Sequence, residues 1–506
     1  MDTAPSDADP ATVPAQLDPP GSDALDRTVL RVAAVVILAV LMAFLDSTVV
    51  NVALQSLALG FRTSLDTIQW VATAYLLALA AITPVTGWAS DRFGTKRVFL
   101  LSIGLFLAGS VLTGASWNVQ SLIVFRVIQG VGAGLLTPAG MTILTRAAGP
   151  ARVGRVMAVL GIPLLLGPIC GPILGGWLVD AASWRWIFYI NVPIGIVALV
   201  LAVFVLPRDV PEPAQRLDVP GLLLLSPGLA LLIFGVSKIP SAGGFGATAV
   251  WLPVGIGVVL IAAFVWRSLR ATHPLIDLSL FRNRMFAWSM ATLALFSVAF
   301  LGAMLLVPTY LILVRGESAL MAGLWMAPQG IGAMLTMRPS GRIVDEGGTR
   351  KVVLPGLLAI AAGLGVFALV GPDTSYAVLL PALFVTGLGL GATMMPVMTG
   401  ALQTLAPQQI ARASSTTTIV QQTFAAIGTA VLSVVLAALL GAQFGVPVSQ
   451  GQLAATRAMA DPVTRAASAP AVAHSFGTAF TVALVLILLG IIPALLLPRP
   501  RPRAAV

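Results

Sequence analysis

Apolar runs of about 20 residues, the length an α-helix needs to cross a bilayer, recur along almost the whole chain, separated by short breaks marked by Gly, Pro or charge. In lipid every backbone N–H and C=O must be paired within the protein, which leaves helix bundles and closed barrels. Barrel strands would read as short alternating segments, so the chain is expected to be an all-α, multi-pass membrane protein. The composition agrees: 58% of residues are hydrophobic and 9% charged, where soluble domains carry about 25% charged residues.

Periodicity and breaks predict helices near 29–55, 66–90, 98–116, 119–145, 153–179, 184–206, 219–238, 249–268, 285–313, 318–341, 352–371, 375–403, 409–441 and 474–497, fourteen in all. An even number puts both termini on one side. Of the 29 Lys and Arg residues, 22 lie toward that side and six toward the other, with Arg126 alone well inside a span. By the positive-inside rule both termini are then cytoplasmic, in the cell membrane. The net charge of +10 is thus explained by topology, and no nucleic-acid partner is expected. Residues 1–28 hold six Asp residues and no base before Arg27, which reads as a disordered cytoplasmic tail without a secretory signal. Residues 498–506 read as a basic cytoplasmic tail, and Cys170, the one cysteine, excludes an intramolecular disulfide.

Two loops repeat. "GWASDRFGTKRV" at 87–98 matches "GRIVDEGGTRKV" at 341–352, with Gly87, Asp91, Gly94, Thr95 and Val98 recurring as Gly341, Asp345, Gly348, Thr349 and Val352. Each joins the second and third helices of a six-helix block, the blocks being 29–206 and 285–497. Between them, 207–284 is a linker carrying two extra transmembrane helices. Internal repeats in helical membrane proteins mark secondary transporters, whose cargo site lies between the halves near mid-membrane.

Several motifs then resemble the major facilitator superfamily, and within it the drug:proton antiporters with fourteen spans. "GWASDRFGTKRV" is similar to the loop signature between spans two and three, and "LDSTVVNVAL" at 45–54 to the first-span motif, although Gln55 stands where the family often has Pro. "FRVIQGVGAG" at 125–134 resembles the fourth-span motif, "GPICGPILGG" at 167–176 the fifth-span antiporter pattern, and "WRWIFYINVPIG" at 184–195 a stretch typical of fourteen-span exporters.

Asp46 and Arg126 are the two ionisable residues expected deep inside spans. An isolated charge there costs about 2.5–3.5 kcal/mol or more, so each should face the interior, a cavity or the other. A guanidinium beside a carboxylate favours its charged form, while separation in a low-dielectric cavity favours the protonated one. The pair is therefore the expected proton-coupling site, and the resemblance implies the same pairing. Gln129 shares the helical face of Arg126, and Gly130, Gly132 and Gly134 admit a close neighbour. In span five, Gly167, Gly171 and Gly175 form a small-residue stripe, with Gly176 beside it and Pro168 and Pro172 loosening the ladder, which reads as a seal and flex point. The resemblance implies that Asp91, Arg92, Lys96 and Arg97 latch the inner gate. Expected cargo contacts are Gln69, Thr73, Tyr75, Gln129, Gln329, Met395, Thr418, Gln421 and Gln422.

None of the three lysines, Lys96, Lys238 and Lys351, sits in a Gly-Lys-Ser/Thr phosphate loop, so ATP is not the expected energy source. His273, His474 and one Cys offer no metal cluster, and no catalytic constellation is visible, so neither cofactor nor enzyme activity is expected. What remains is the proton gradient, in which one proton moving through 100 mV supplies about 2.3 kcal/mol, enough for roughly a fifty-fold ratio of a neutral cargo. The expectation is a monomeric secondary transporter, with the bilayer and protons as partners, that exports amphipathic small molecules such as drugs and antibiotics by alternating access. The alternative is an exporter of a lipid or endogenous metabolite.

Overall fold

A computed structural model describes residues 27–498 apart from 64, 150–151, 158–170, 172–173, 180, 208–215, 243, 245, 273 and 347. No β-strand occurs among the described residues. The first block comprises α1 (Arg27–Gly60), α2 (Trp70–Ile82), α3 (Val85–Phe93), α4 (Thr95–Gly114), α5 (Val119–Ala148) and α6 (Asn191–Val205). Two helices follow, α7 (Val219–Ala242) and α8 (Thr248–Ser268). The remainder runs through α9 (Arg284–Phe296), α10 (Leu306–Leu313), α11 (Ala327–Asp345), α12 (Thr349–Ala368), α13 (Tyr376–Gln403), α14 (Ile410–Phe444), α15 (Val448–Ala460) and α16 (Pro462–Leu495).

Eleven of the described helices are long and apolar enough to cross a membrane, and α2 with α3 brings the number to twelve. Two of the fourteen expected spans remain. The span at 318–341 is present as Ala319–Trp325 followed by α11, where Arg338, Pro339 and Arg342 dilute the apolar pattern. The other, 153–179, falls largely outside the described residues.

The structure departs from the expected helices at three places. The single helix expected over 66–90 is broken between Ile82 and Val85, with a 55° bend. Pro84 lacks an N–H to continue the ladder, and the Thr83 hydroxyl caps the break by donating to the Leu79 carbonyl at 2.7 Å and to Gly134 O at 3.3 Å. The segment 442–473, expected as a loop between the last two spans, is largely helical. Its α15 is too polar to read as a span, yet it buries Ala455 and Met459 and lies so close to α14 that a Cβ on Gly451 would stand 2.3 Å from Ala437 O. Span nine, expected as one helix over 285–313, carries a π-turn at Ser297–Leu301 between α9 and α10.

Between helices in lipid there is no hydrophobic drive to associate, so close backbone contact must hold them. The glycine run on α5 provides it on two sides. A Cβ on Gly130 would fall 2.5 Å from Tyr75 O of α2, and one on Gly132 2.5 Å from Phe106 N of α4. Clamped in this way, α5 presents Arg126 to α1.

Candidate functional site

Asp46 and Arg126 meet inside the first block, each 1% exposed. Arg126 Nη1 donates to Asp46 Oδ2 at 2.6 Å and to Gln129 Oε1 at 2.8 Å, and its Nε donates to Val71 O at 3.2 Å. The other carboxylate oxygen, Oδ1, accepts from Gln129 Nε2 at 2.8 Å and from Asn191 Nδ2 at 2.9 Å. Ser110 closes the network: its Oγ accepts from Gln129 at 3.2 Å and Asn191 at 3.0 Å and donates to Phe188 O at 2.8 Å. The Tyr75 ring lies 4.1 Å from the guanidinium, a cation–π contact. Asn191 and Ser110 were not expected in the site, although Asn191 lies inside the quoted 184–195 motif.

Tyr75 also faces a cavity of about 310 Å³ between the blocks, near the lower end of drug-sized sites of about 300–1,000 Å³. Phe44, Ser47 and Thr137 line it from the first block, Gln422 and Thr429 from α14. No Asp, Glu, Lys, Arg or His lines it. The ion pair is thus one aromatic ring away from space in which a small apolar molecule fits.

The end of the molecule that carries the repeated loops, here called the basic end, is closed. Asp345 reaches the helical residues 153–157: its Oδ1 accepts from Gly154 N at 2.6 Å and its Oδ2 from Arg155 Nε at 3.1 Å. Gln403 Nε2 adds a bond at 2.8 Å. Asp91 mirrors this, lying 3.5 Å from Arg412 Nε at the start of α14 and 3.6 Å from Arg146. Arg155 and Arg412 end the related strings "PARVGR" and "PQQIAR", 257 residues apart, so each loop aspartate crosses to the other block at a matched place. Backbones touch there too, for a Cβ on Gly154 would fall 2.3 Å from Gly341 O.

A family model described as the Major Facilitator Superfamily matches residues 36–430. The chain belongs to this superfamily. It is a membrane transporter and not an enzyme, as its relatives are. A multidrug resistance protein B homolog of Mycobacterium tuberculosis is 45% identical, covering 94% of this chain and 91% of its own. The multidrug export protein EmrB of Escherichia coli is 32% identical over 78% of this chain and 77% of its own. Among solved structures, the human organic anion transporter MFSD10 (TETRAN) superposes with a TM-score of 0.59 at 17% identity, covering 91% of this chain and 100% of that one. The proton:xylose symporter XylE gives 0.58 at 15%, covering 93% and 96%. Both share the superfamily fold.

Against that fold the expected site residues divide. Of the expected cargo contacts, Tyr75 and Gln422 line the cavity. Gln129 belongs to the ion-pair network. Gln69 is exposed at the start of α2, and the Thr73 hydroxyl is taken up by Gln69 O. Met395 is core, Thr418 bonds back to Ser414 O, and Gln329 packs against Gly387 of α13; Gln421 is half-buried and does not line the cavity. Among the loop residues, Asp91 bridges the blocks, whereas Lys96 donates to Val203 O at 2.7 Å and Leu206 O at 2.6 Å, capping the end of α6. Arg92 and Arg97 are exposed, with no ion pair among the described residues. In span five, a Cβ on Gly171 would fall 2.1 Å from Thr48 Oγ1, while Gly176 has open space beside it. Gly175 is buried; Gly167, Pro168 and Pro172 lie outside the described residues.

Burial pushes the Asp345 carboxyl above its ordinary range, with the N–H groups of Gly154 and Arg155 and the Arg155 guanidinium pulling it part of the way back. A carboxyl that holds its proton more tightly in the closed end than in water favours closure below its ordinary pKa, and loses that contribution as pH rises through the raised value. Acidifying this face into the carboxylate range is therefore expected to favour closure. Spin labels at the exposed positions Arg97 and Arg342 should move together as pH falls, and in Asp345→Asn that shift should vanish.

Proposed function

We propose that this protein exports amphipathic small molecules, drugs and antibiotics among them, across the cell membrane in exchange for protons. The observation that carries this reading is that Tyr75 touches both the Arg126 guanidinium and the cargo cavity. Cargo that shifts the ring changes the contacts of Arg126, and with them how firmly Asp46 is held as a carboxylate. The printed names of the multidrug relatives support the cargo class. With the basic end on the cytoplasmic side, together with both termini, the closed arrangement is the one in which cargo leaves and protons enter. Alternating access then consists of breaking the Asp91–Arg412 and Asp345–Arg155 contacts and remaking them.

A cavity without a cationic lining residue offers no positive charge to a lipid phosphate, which favours dyes and drugs over anionic lipids as cargo. The test is dye uptake into inverted vesicles, with and without an uncoupler. Gradient-dependent accumulation that the uncoupler collapses is expected; accumulation unaffected by it would refute proton coupling, and movement of a fluorescent phospholipid in place of dye would refute the cargo class.

A further inference from the structure

Helix α7 lies across the seam between α2 and α14 and touches both blocks. On the α2 side, Ser226 Oγ donates to Ala81 O at 2.5 Å, and Phe234 stacks on Trp70 with centroids 5.4 Å apart. Lys238 Nζ sits 5.7 Å from the Trp70 ring. On the α14 side the contact is apolar, with Val236 and Ile239 buried against Ala430. Behind α7 stands α8, so close that a Cβ on Gly257 would fall 2.8 Å from Gly228 O. An ion pair between Arg267 and Asp218, 2.8 Å long, fastens the open end of this hairpin. The outer face of α8 exposes Trp251, Val259 and Trp266, as a lipid-facing surface does.

Helix α7 is therefore held from both sides, and one of its residues, Ile233, forms part of the wall of the cavity that Tyr75 and Gln422 also line. We propose that Ile233 is a specificity-determining residue: the inserted pair is a fixed wall of the cargo cavity, and the side chain at 233 sets how bulky an apolar molecule the cavity accepts. This assignment rests on the export reading above. A wall that neither block supplies lets one residue tune cargo size without touching the Asp46 network or the basic-end contacts. In a hydrophobic pocket one methylene is worth about 10- to 200-fold in discrimination, so a change at 233 should be read in the ratio of two cargoes.

The experiment uses the full chain in proteoliposomes and measures export of ethidium and of the bulkier rhodamine 6G. Ile233→Trp is expected to lower the rhodamine 6G to ethidium ratio about tenfold, and Ile233→Ala to raise it. Because the ratio cancels the amount of folded protein, a poorly folding Trp variant does not obscure the result. Val258→Trp, on the exposed face of α8, should leave the ratio unchanged. Wild-type export with an unaltered ratio in both Ile233 variants overturns the assignment alone. Wild-type protein that exports neither dye overturns the export reading, and this assignment with it.

Discussion

Replacing Asp46 with Asn is expected to abolish uphill export, taking the cargo ratio from as much as roughly fifty-fold per proton at 100 mV to unity. The substitution removes the one carboxylate in the network while leaving its shape almost unchanged. It also strands the Arg126 charge, which in a buried pair costs about 3–5 kcal/mol. Folded yield must therefore be measured beside transport. If the pair serves only to fix the packing of α1 and α5, Asp46→Asn loses folded protein and nothing else is learned from its transport. If the pair couples protons, the double variant Asp46→Asn with Arg126→Gln, in which no charge is stranded, folds and still exchanges cargo down its gradient but fails to concentrate it. Asp46→Glu, which keeps the charge, should retain part of the uphill activity.

Gly154→Val should be almost as damaging, by a different route. Its Cβ would lie 2.3 Å from Gly341 O and 2.7 Å from Asp345 Oδ1, so the basic end cannot close without spreading the blocks. Overpacking costs about 1–3 kcal/mol, which at about 1.4 kcal/mol per decade lowers the closed population, and with it the export rate, by about 5- to 140-fold. Binding of cargo from the cytoplasmic side should survive, since the cavity is formed elsewhere. A variant that cycles at the parental rate would show that the Gly154–Gly341 contact does not belong to the transport cycle.

The parts of this site visible in the sequence are the ones that violate the cost of charge in lipid. Asp46 and Arg126 stand out because nothing else well inside their spans is ionisable, and Gln129 follows from its place one turn beyond Arg126. Asn191 and Ser110 do not stand out, because a neutral amide or hydroxyl in a span is as often a bond between helices as part of a polar network. Arg155 and Arg412 read only as loop charges until their shared strings are seen to repeat. The two helices at 219–238 and 249–268 were readable from length and hydropathy, and the structure has them as α7 and α8. Where the insert packs was not, because apolar faces in lipid match one another without specificity. The bend in span two was visible as Pro84, yet a proline inside an apolar run is compatible with a kinked helix as well as a broken one. The lining of the cavity was the least legible, since it consists mainly of Ala, Leu and aromatic side chains that look like core.

The most direct measurement of coupling needs no membrane gradient: cargo is added to purified protein in weakly buffered detergent solution, and protons released are counted. Wild-type protein should release protons on binding cargo, because displacement of Tyr75 and Arg126 resets the network around Asp46, and Asp46→Asn protein that still binds cargo should release none. Equal proton release from the two proteins would contradict the account, since the exchanged proton would then reside elsewhere.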